Sequence, residues 1–252
     1  MQRLRRLLPP APLAGLQRHC FAGVVGFAGG ATLGLVGWGG GQMIIPGMTH
    51  QYMALNQLAA TGVSLFSLSL SSISSSVRFA TSDSACLVTA ASIAIPSIVT
   101  ARFGTQLASR LSNDALEFAF NSLSLVRPLD VAFGCLSGGV SALMGVGGLP
   151  FTMSYLTACT DLPHHLVQGT AQCACAPSAL TSAVSRIHAV PLGTAAAVAA
   201  GGVAGATAGA TAALHLSEER LRELFMLSLL VLGGSACRRA VINLQSMYRK
   251  RT

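Results

Sequence analysis

Residues 34–46 read GLVGWGGGQMIIP, and no helix passes smoothly through them. A glycine in a helix interior costs roughly 1 kcal/mol, and here Gly37, Gly39, Gly40 and Gly41 follow one another closely. Pro46 then removes one more backbone donor. Yet the sequence on either side, at 21–36 and 43–52, is apolar. The element returns later as ALMGVGGLPF, residues 142–151. Two glycine-broken apolar segments at matching places in two halves of a chain point to a transport site in a membrane protein.

Composition supports that environment. Of 252 residues 10% are charged, against about 25% in soluble domains. Mean hydropathy is +0.60, and the charges fall between runs long enough for bilayer-spanning helices. Apolar spans are expected at 21–52 (broken at the glycines), 56–80, 85–101, 131–155 (broken again), 168–184, 189–214 and 221–242. Residues 113–126 are short for a span and carry Glu117. The fold expected is an all-α, multi-pass integral membrane protein with about seven to eight transmembrane helices, each spanning run needing about 20 residues. Pro96 is read as a kink rather than an end, and Trp38 as an interfacial anchor or a plug in the broken turn. GGVAGATAGA marks a close-packing helix with small residues at Gly201, Gly205 and Gly209.

The net charge of +8 does not signal nucleic acid. Arg3, Arg5, Arg6 and Arg18 lie near the first span, and Arg238, Arg239, Arg249, Lys250 and Arg251 near or after the last. That is a positive-inside pattern, not a basic stripe interleaved with aromatics. Residues 1–20 are a basic flank or an organelle transit segment, so plasma and organelle membranes both stay open; 243–252 form a basic tail. Seven cysteines lack metal-finger spacing, and those in apolar runs read as packing residues. His164-His165 has no evident third ligand, so no metal and no cofactor are expected. Neither GxSxG nor HExxH occurs, and the chain is not expected to be an enzyme.

The halves, 21–126 and 127–242, align in order. Gly37, Gly39 and Gly40 fall on Gly145, Gly147 and Gly148; Ala60-Thr61 falls on Gly169-Thr170; Arg78 falls on Arg186. GTQLASRLSNDALEFAF falls on GATAALHLSEERLRELF. Two homologous repeats, each opened by a glycine-broken helix, are therefore expected. Whether they are parallel or inverted depends on the number of crossings in each.

GLVGWGGGQMIIP, AATGVSL, SSSVRFAT and the recurring GVGG together resemble the sulfite exporter TauE/SafE family of membrane proteins. The likeness covers about residues 22–242. It implies two four-helix repeats and movement of a small sulfur-containing or organic anion across a membrane. Leu149 stands where the first motif has Gly41, and Ser154 where it has Pro46; the last helix of the first half is short.

A broken helix frees backbone N–H groups, and the resumed helix carries partial positive charge at its start. Gly37, Gly39, Gly40 and Gly41, with Gly145, Gly147 and Gly148, are the expected cradle for an oxyanion. Thr61 and Thr170 would add hydroxyls, and Gln42, Gln57 and Gln168 are further polar candidates. Arg78 and Arg186 read as topological signals before anion gates. The expected activity is export or uniport of a small anion, sulfite or an organosulfonate. The alternative is a non-transporting family member serving as a structural or regulatory membrane protein. The partners expected are the anion and the lipid bilayer, with self-association left open.

Overall fold

The computed structural model describes residues 15–50, 52–110, 147–159, 162–228 and 230. Gly145, Glu117 and the shortened helix at 113–126 lie outside the described residues. All regular structure among the described residues is helical: α1 (Gly15–Val36), α2 (Gly41–Thr49), α3 (Gln57–Thr81), α4 (Leu87–Arg110), α5 (Leu149–Cys159), α6 (His164–Ser185), a 3₁₀ turn (Ile187–Ala189) and α7 (Leu192–His215). A further helix, α8, covers residues 218–228. Three helices, α1, α3 and α7, are long and apolar enough to cross a membrane. At 1.5 Å per residue the shortest of them reaches about 33 Å, against a hydrocarbon core of about 30 Å. Helix α1 begins at Gly15, ahead of the expected start at 21, and α6 begins at His164, ahead of 168. Helix α4 runs through Pro96 to Arg110, past the expected end at 101.

The direction of each helix follows from what its ends touch. Thr61, near the start of α3, accepts a hydrogen bond from Arg186 at the end of α6. Gly169, near the start of α6, packs on Phe79 near the end of α3. These two helices are antiparallel. Ser67 of α3 reaches the Val198 carbonyl of α7, and Arg78 reaches Thr211 further along both helices, so α3 and α7 are parallel. Cys86 before α4 donates to Thr170 early in α6, while Arg102 lies beside Arg186, so α4 and α6 are parallel too. Helix α2 folds back along α1, with Gly40 on Gly29 and Gly47 on Val25. Helix α5 folds back on α6 through Thr152 and Cys175. The series α2–α3–α4 therefore runs opposite in sense to α5–α6–α7. The described parts of the two halves are inverted relative to each other, the arrangement of a two-fold axis lying in the membrane plane.

Helices α1 and α7 run side by side in parallel, backbone against backbone. A side-chain carbon on Gly26, Gly30 or Gly34 would come within 2.2 Å of the carbonyl oxygen of Val198, Gly202 or Ala206 respectively. From the other side, Gly201, Gly205 and Gly209 meet the backbone of Gly23, Phe27 and Ala31. In lipid, where apolar surface gains nothing by leaving its solvent, such close approach is a main source of helix attraction. The Ser-rich α3 fits the remaining groove of α7: Ser67 and Ser71 hydroxyls would both lie 2.6 Å from a carbon on Gly202. Two of its other serines bond back to their own helix, Ser69 to the Phe66 carbonyl and Ser75 to that of Ser71.

Two helix starts are capped differently. Asn56 Oδ1 accepts from the Ala59 amide at 2.8 Å and caps α3 in the ordinary local way. Pro163 before α6 has no side chain to do this. Glu218, from the start of α8, supplies the carboxylate instead, accepting from the His164 amide at 2.7 Å and the His165 amide at 3.2 Å.

Charge divides between the two ends. The end holding the start of α1 and the ends of α4 and α6 carries Arg18, Arg102, Arg110 and Arg186 and, among the described residues, no acid. The opposite end mixes Arg78, Arg220 and Arg222 with Asp83, Glu218, Glu219 and Glu223.

Candidate functional site

Gly37 ends α1 with φ +71°, a left-handed conformation that glycine adopts without a steric penalty. Its amide still reaches the Leu33 carbonyl at 3.0 Å. The next helical bond, from the Trp38 amide to the Gly34 carbonyl, is not made. A glutamine from the other half fills the place: Gln168 Nε2 donates to the Gly34 carbonyl at 2.7 Å. One turn further along α6, Gln172 Nε2 donates to the Leu33 carbonyl at 3.0 Å. Both glutamines are fully buried, and each keeps an Oε1 that accepts no hydrogen bond from the described residues.

The four residues after the break, Trp38, Gly39, Gly40 and Gly41, are all buried. Among the described residues, nothing accepts a hydrogen bond from their backbone amides. The Trp38 indole Nε1 is likewise buried without an acceptor, its ring tilted against Phe225 at 6.2 Å. Trp38 thus plugs the broken turn and is not an interfacial anchor. Buried amides without partners are rare in folded proteins. Here they gather at the start of α2, where the helix dipole favours negative charge.

The second break, as far as it is described, differs from the first in backbone and in chemistry: its positive-φ glycine lies two residues before the resumed helix, whereas Gly37 lies four residues before α2. Gly147 takes φ +76°, and α5 begins at Leu149; α2 begins at Gly41. Gly147 and Gly148 are buried, but Leu149 packs in an apolar cluster with Trp38, Leu68, Met153 and Leu156. Met153 of α5 and Gln168 of α6 also abut Gly37 directly. Among the described residues, the first break therefore carries the buried Trp38 Nε1 and glycine amides, with α6 of the other half supplying its glutamines.

Thr61 and Thr170 lie at opposite ends of the antiparallel α3–α6 pair. The span from Thr170 to Arg186, beside Thr61, is roughly 24 Å of helix at 1.5 Å per residue. Thr61 accepts from Arg186 at 2.7 Å, and Thr170 accepts from the Cys86 amide at 2.9 Å. The structural equivalents differ from the alignment by Thr identity. Gly62 faces Val190 after α6, just as Gly169 faces Ser84 after α3. Of the other polar candidates, Gln57 is buried at the start of α3 and Gln42 is half-buried on α2. Gln172 was not singled out by the sequence, although it stands one turn from Gln168 on the same face. Arg78 is exposed on Thr211, whereas Arg186 is 4% exposed.

Helices of membrane-spanning length, an inverted internal relation and a polar break in the core define a multi-pass membrane transporter. The family model for the sulfite exporter TauE/SafE matches residues 21–126 and again 121–236, and the chain belongs to that family of integral membrane transporters of sulfur-containing anions. The double match agrees with the duplication. No curated protein and no solved structure matches the chain.

Proposed function

We propose that the chain exports or uniports a small anion, sulfite or an organosulfonate, held at the first glycine break. The observation that carries this reading is the set of buried amides at Trp38–Gly41 with no acceptor among the described residues. They offer several hydrogen bonds and a helix start without placing a full positive charge in the membrane. The orphan Oε1 atoms of Gln168 and Gln172 add acceptors beside these donors, which suits an anion that still carries a proton, such as hydrogensulfite. Glycines at the second break would take a smaller share, because Leu149 lines that side with apolar surface.

The basic end, bearing Arg18, Arg102, Arg110 and Arg186 and preceded in sequence by Arg3, Arg5 and Arg6, faces the cytoplasm or its organelle equivalent by the positive-inside rule. An anion leaving a negative interior gains about 2.3 kcal/mol per charge per 100 mV. Export therefore needs no coupling carboxylate.

Trp38 is the only tryptophan and sits in the break, so its emission reports on the site. Sulfite added to the full chain in lipid nanodiscs should change that emission saturably, with chloride at equal ionic strength as control. An unchanged emission at saturating sulfite would remove the break as the site. The Leu149 packing also favours the alternative of a non-transporting member, which flux measurements separate.

A further inference from the structure

Gln168 and Gln172 stand one turn apart on α6, and both are fully buried. The carbonyls of Gly34 and Leu33 can only accept, so Nε2 must face them, at 2.7 Å and 3.0 Å, and Oε1 must point elsewhere. The nitrogen and oxygen of one carboxamide are about 2.3 Å apart, which keeps each oxygen within roughly 5 Å of the α1 carbonyl that its nitrogen serves. Neither oxygen accepts a hydrogen bond from the described residues. Gln168 also lies against Gly37, where a carbon on the glycine would come 3.2 Å from its Cγ. Two acceptors thus stand at a break whose Trp38–Gly41 amides and Trp38 indole N–H are donors without acceptors among the described residues.

A site made for a bare anion has donors alone. A carboxamide oxygen repels the oxygens of such an anion, and leaving it unpaired in a dry site is costly. An O–H on the anion removes both costs: the hydroxyl donates to Oε1 while the other oxygens accept from the amides. Gln172 is the freer of the two to serve this purpose. The Leu33 carbonyl that it meets already accepts from the Gly37 amide, so the helix end does not depend on it.

We propose that Gln172, with Gln168, determines the specificity of the break and selects a monoanion bearing an O–H: hydrogensulfite over the sulfite dianion and over sulfonates without a hydroxyl. The inference rests on the reading of the break as the anion site and adds the protonation state of what it takes. Each turnover then carries one proton and one negative charge with the sulfur, and no acidic side chain is needed to move that proton. Among the described residues, the titratable and charged groups packed around the pair are His164 and Cys175 on α6 and Tyr155 on α5, with Glu218 and Arg222 of α8 as charged neighbours of His164.

The test is equilibrium binding of ³⁵S-labelled sulfite to the full chain in phosphatidylcholine nanodiscs, with Trp38 emission read in parallel. It is made near pH 6, where hydrogensulfite prevails, and near pH 8.5, where the dianion does. Methanesulfonate, a hydroxyl-free monoanion at both, competes in each case and reports any titration of the protein's own groups. Sulfite should bind roughly tenfold or more tightly at the lower pH, the order of one hydrogen bond, and methanesulfonate weakly and equally at both. Gln172→Met keeps the bulk of the side chain and the Gly37 bond to Leu33, and should abolish most of the preference. Equal or tighter sulfite binding at the higher pH overturns the proposal in the parent chain alone, whether or not the variant folds. A parallel fall in methanesulfonate affinity assigns the pH effect to the protein and overturns it too. Binding that requires sodium and fails in N-methylglucamine assigns the glutamine oxygens to a cation, with the same consequence. Trp38 emission separates this inference from the reading beneath it. A Trp38 response without preference for the protonated form keeps the break and discards the selection; no response to any anion discards both.

Discussion

Gln168 Nε2 donates to the carbonyl oxygen of Gly34 at 2.7 Å, so α6 of one half completes the helix end that Gly37 opens in the other. Replacing Gln168 with Leu leaves that buried carbonyl without a donor, at a cost of about 1–3 kcal/mol. Gln172→Leu should cost less, because the Leu33 carbonyl keeps the Gly37 amide. Thermal unfolding in detergent checks the order. Equal losses would mean the glutamines act by packing alone.

The α1–α7 contact makes a sharper prediction about size. A carbon on Gly30 would lie 2.0 Å from the Gly202 carbonyl, whereas one on Gly23 would lie 3.8 Å from the nearest neighbour, the Ala197 carbonyl. Gly30→Ala forces the helices apart and should destabilise by about 1–3 kcal/mol. Gly23→Ala should be neutral or slightly stabilising, since alanine is the better helix former. Comparable melting midpoints for the two variants would contradict the backbone-to-backbone packing.

Cys86 lies in the loop before α4, at the end opposite Arg186, and its thiol is held below its ordinary pKa chiefly by the Thr89 hydroxyl at 3.2 Å. A lowered pKa means more thiolate at pH 7–8 and faster alkylation. Cys86 should therefore react with an impermeant maleimide from the non-cytoplasmic side, and Thr89→Val should move its pH–rate profile upward. Labelling only from the cytoplasmic side would reverse the orientation assigned from the arginines.

Glu218 fastens α8 to α6 by accepting from the His164 and His165 amides. Glu218→Ala should cost about 1 kcal/mol, the usual value of a lost helix cap, with Asp or Gln retaining part of it. A melting midpoint indistinguishable from the parent chain would show that the cap contributes nothing.

The glycine break was legible because the cost of glycine in a helix is local. Its outcome was not: no residue in 34–46 says that α2 turns back along α1 and does not continue. Gly201, Gly205 and Gly209 announced close packing, but their partner face at Gly23, Phe27 and Ala31 is a tertiary choice. The inversion depends on the crossing count, which the alignment of the halves leaves open. Matching Thr61 to Thr170 by identity placed two hydroxyls in one site, whereas the helices run in opposite senses and hold them at opposite ends. Arg78 and Arg186 look alike in sequence; only the fold separates an exposed arginine from one buried against Thr61.

The most direct test of the account is sulfite efflux from proteoliposomes holding the full chain, with ³⁵S-sulfite inside and an imposed potential. The expected result is a saturable efflux above empty liposomes that quickens as the interior is made negative. No saturable efflux, from protein shown to be folded by a single cooperative melt and by one-sided Cys86 labelling, would contradict transport and favour a structural or regulatory role.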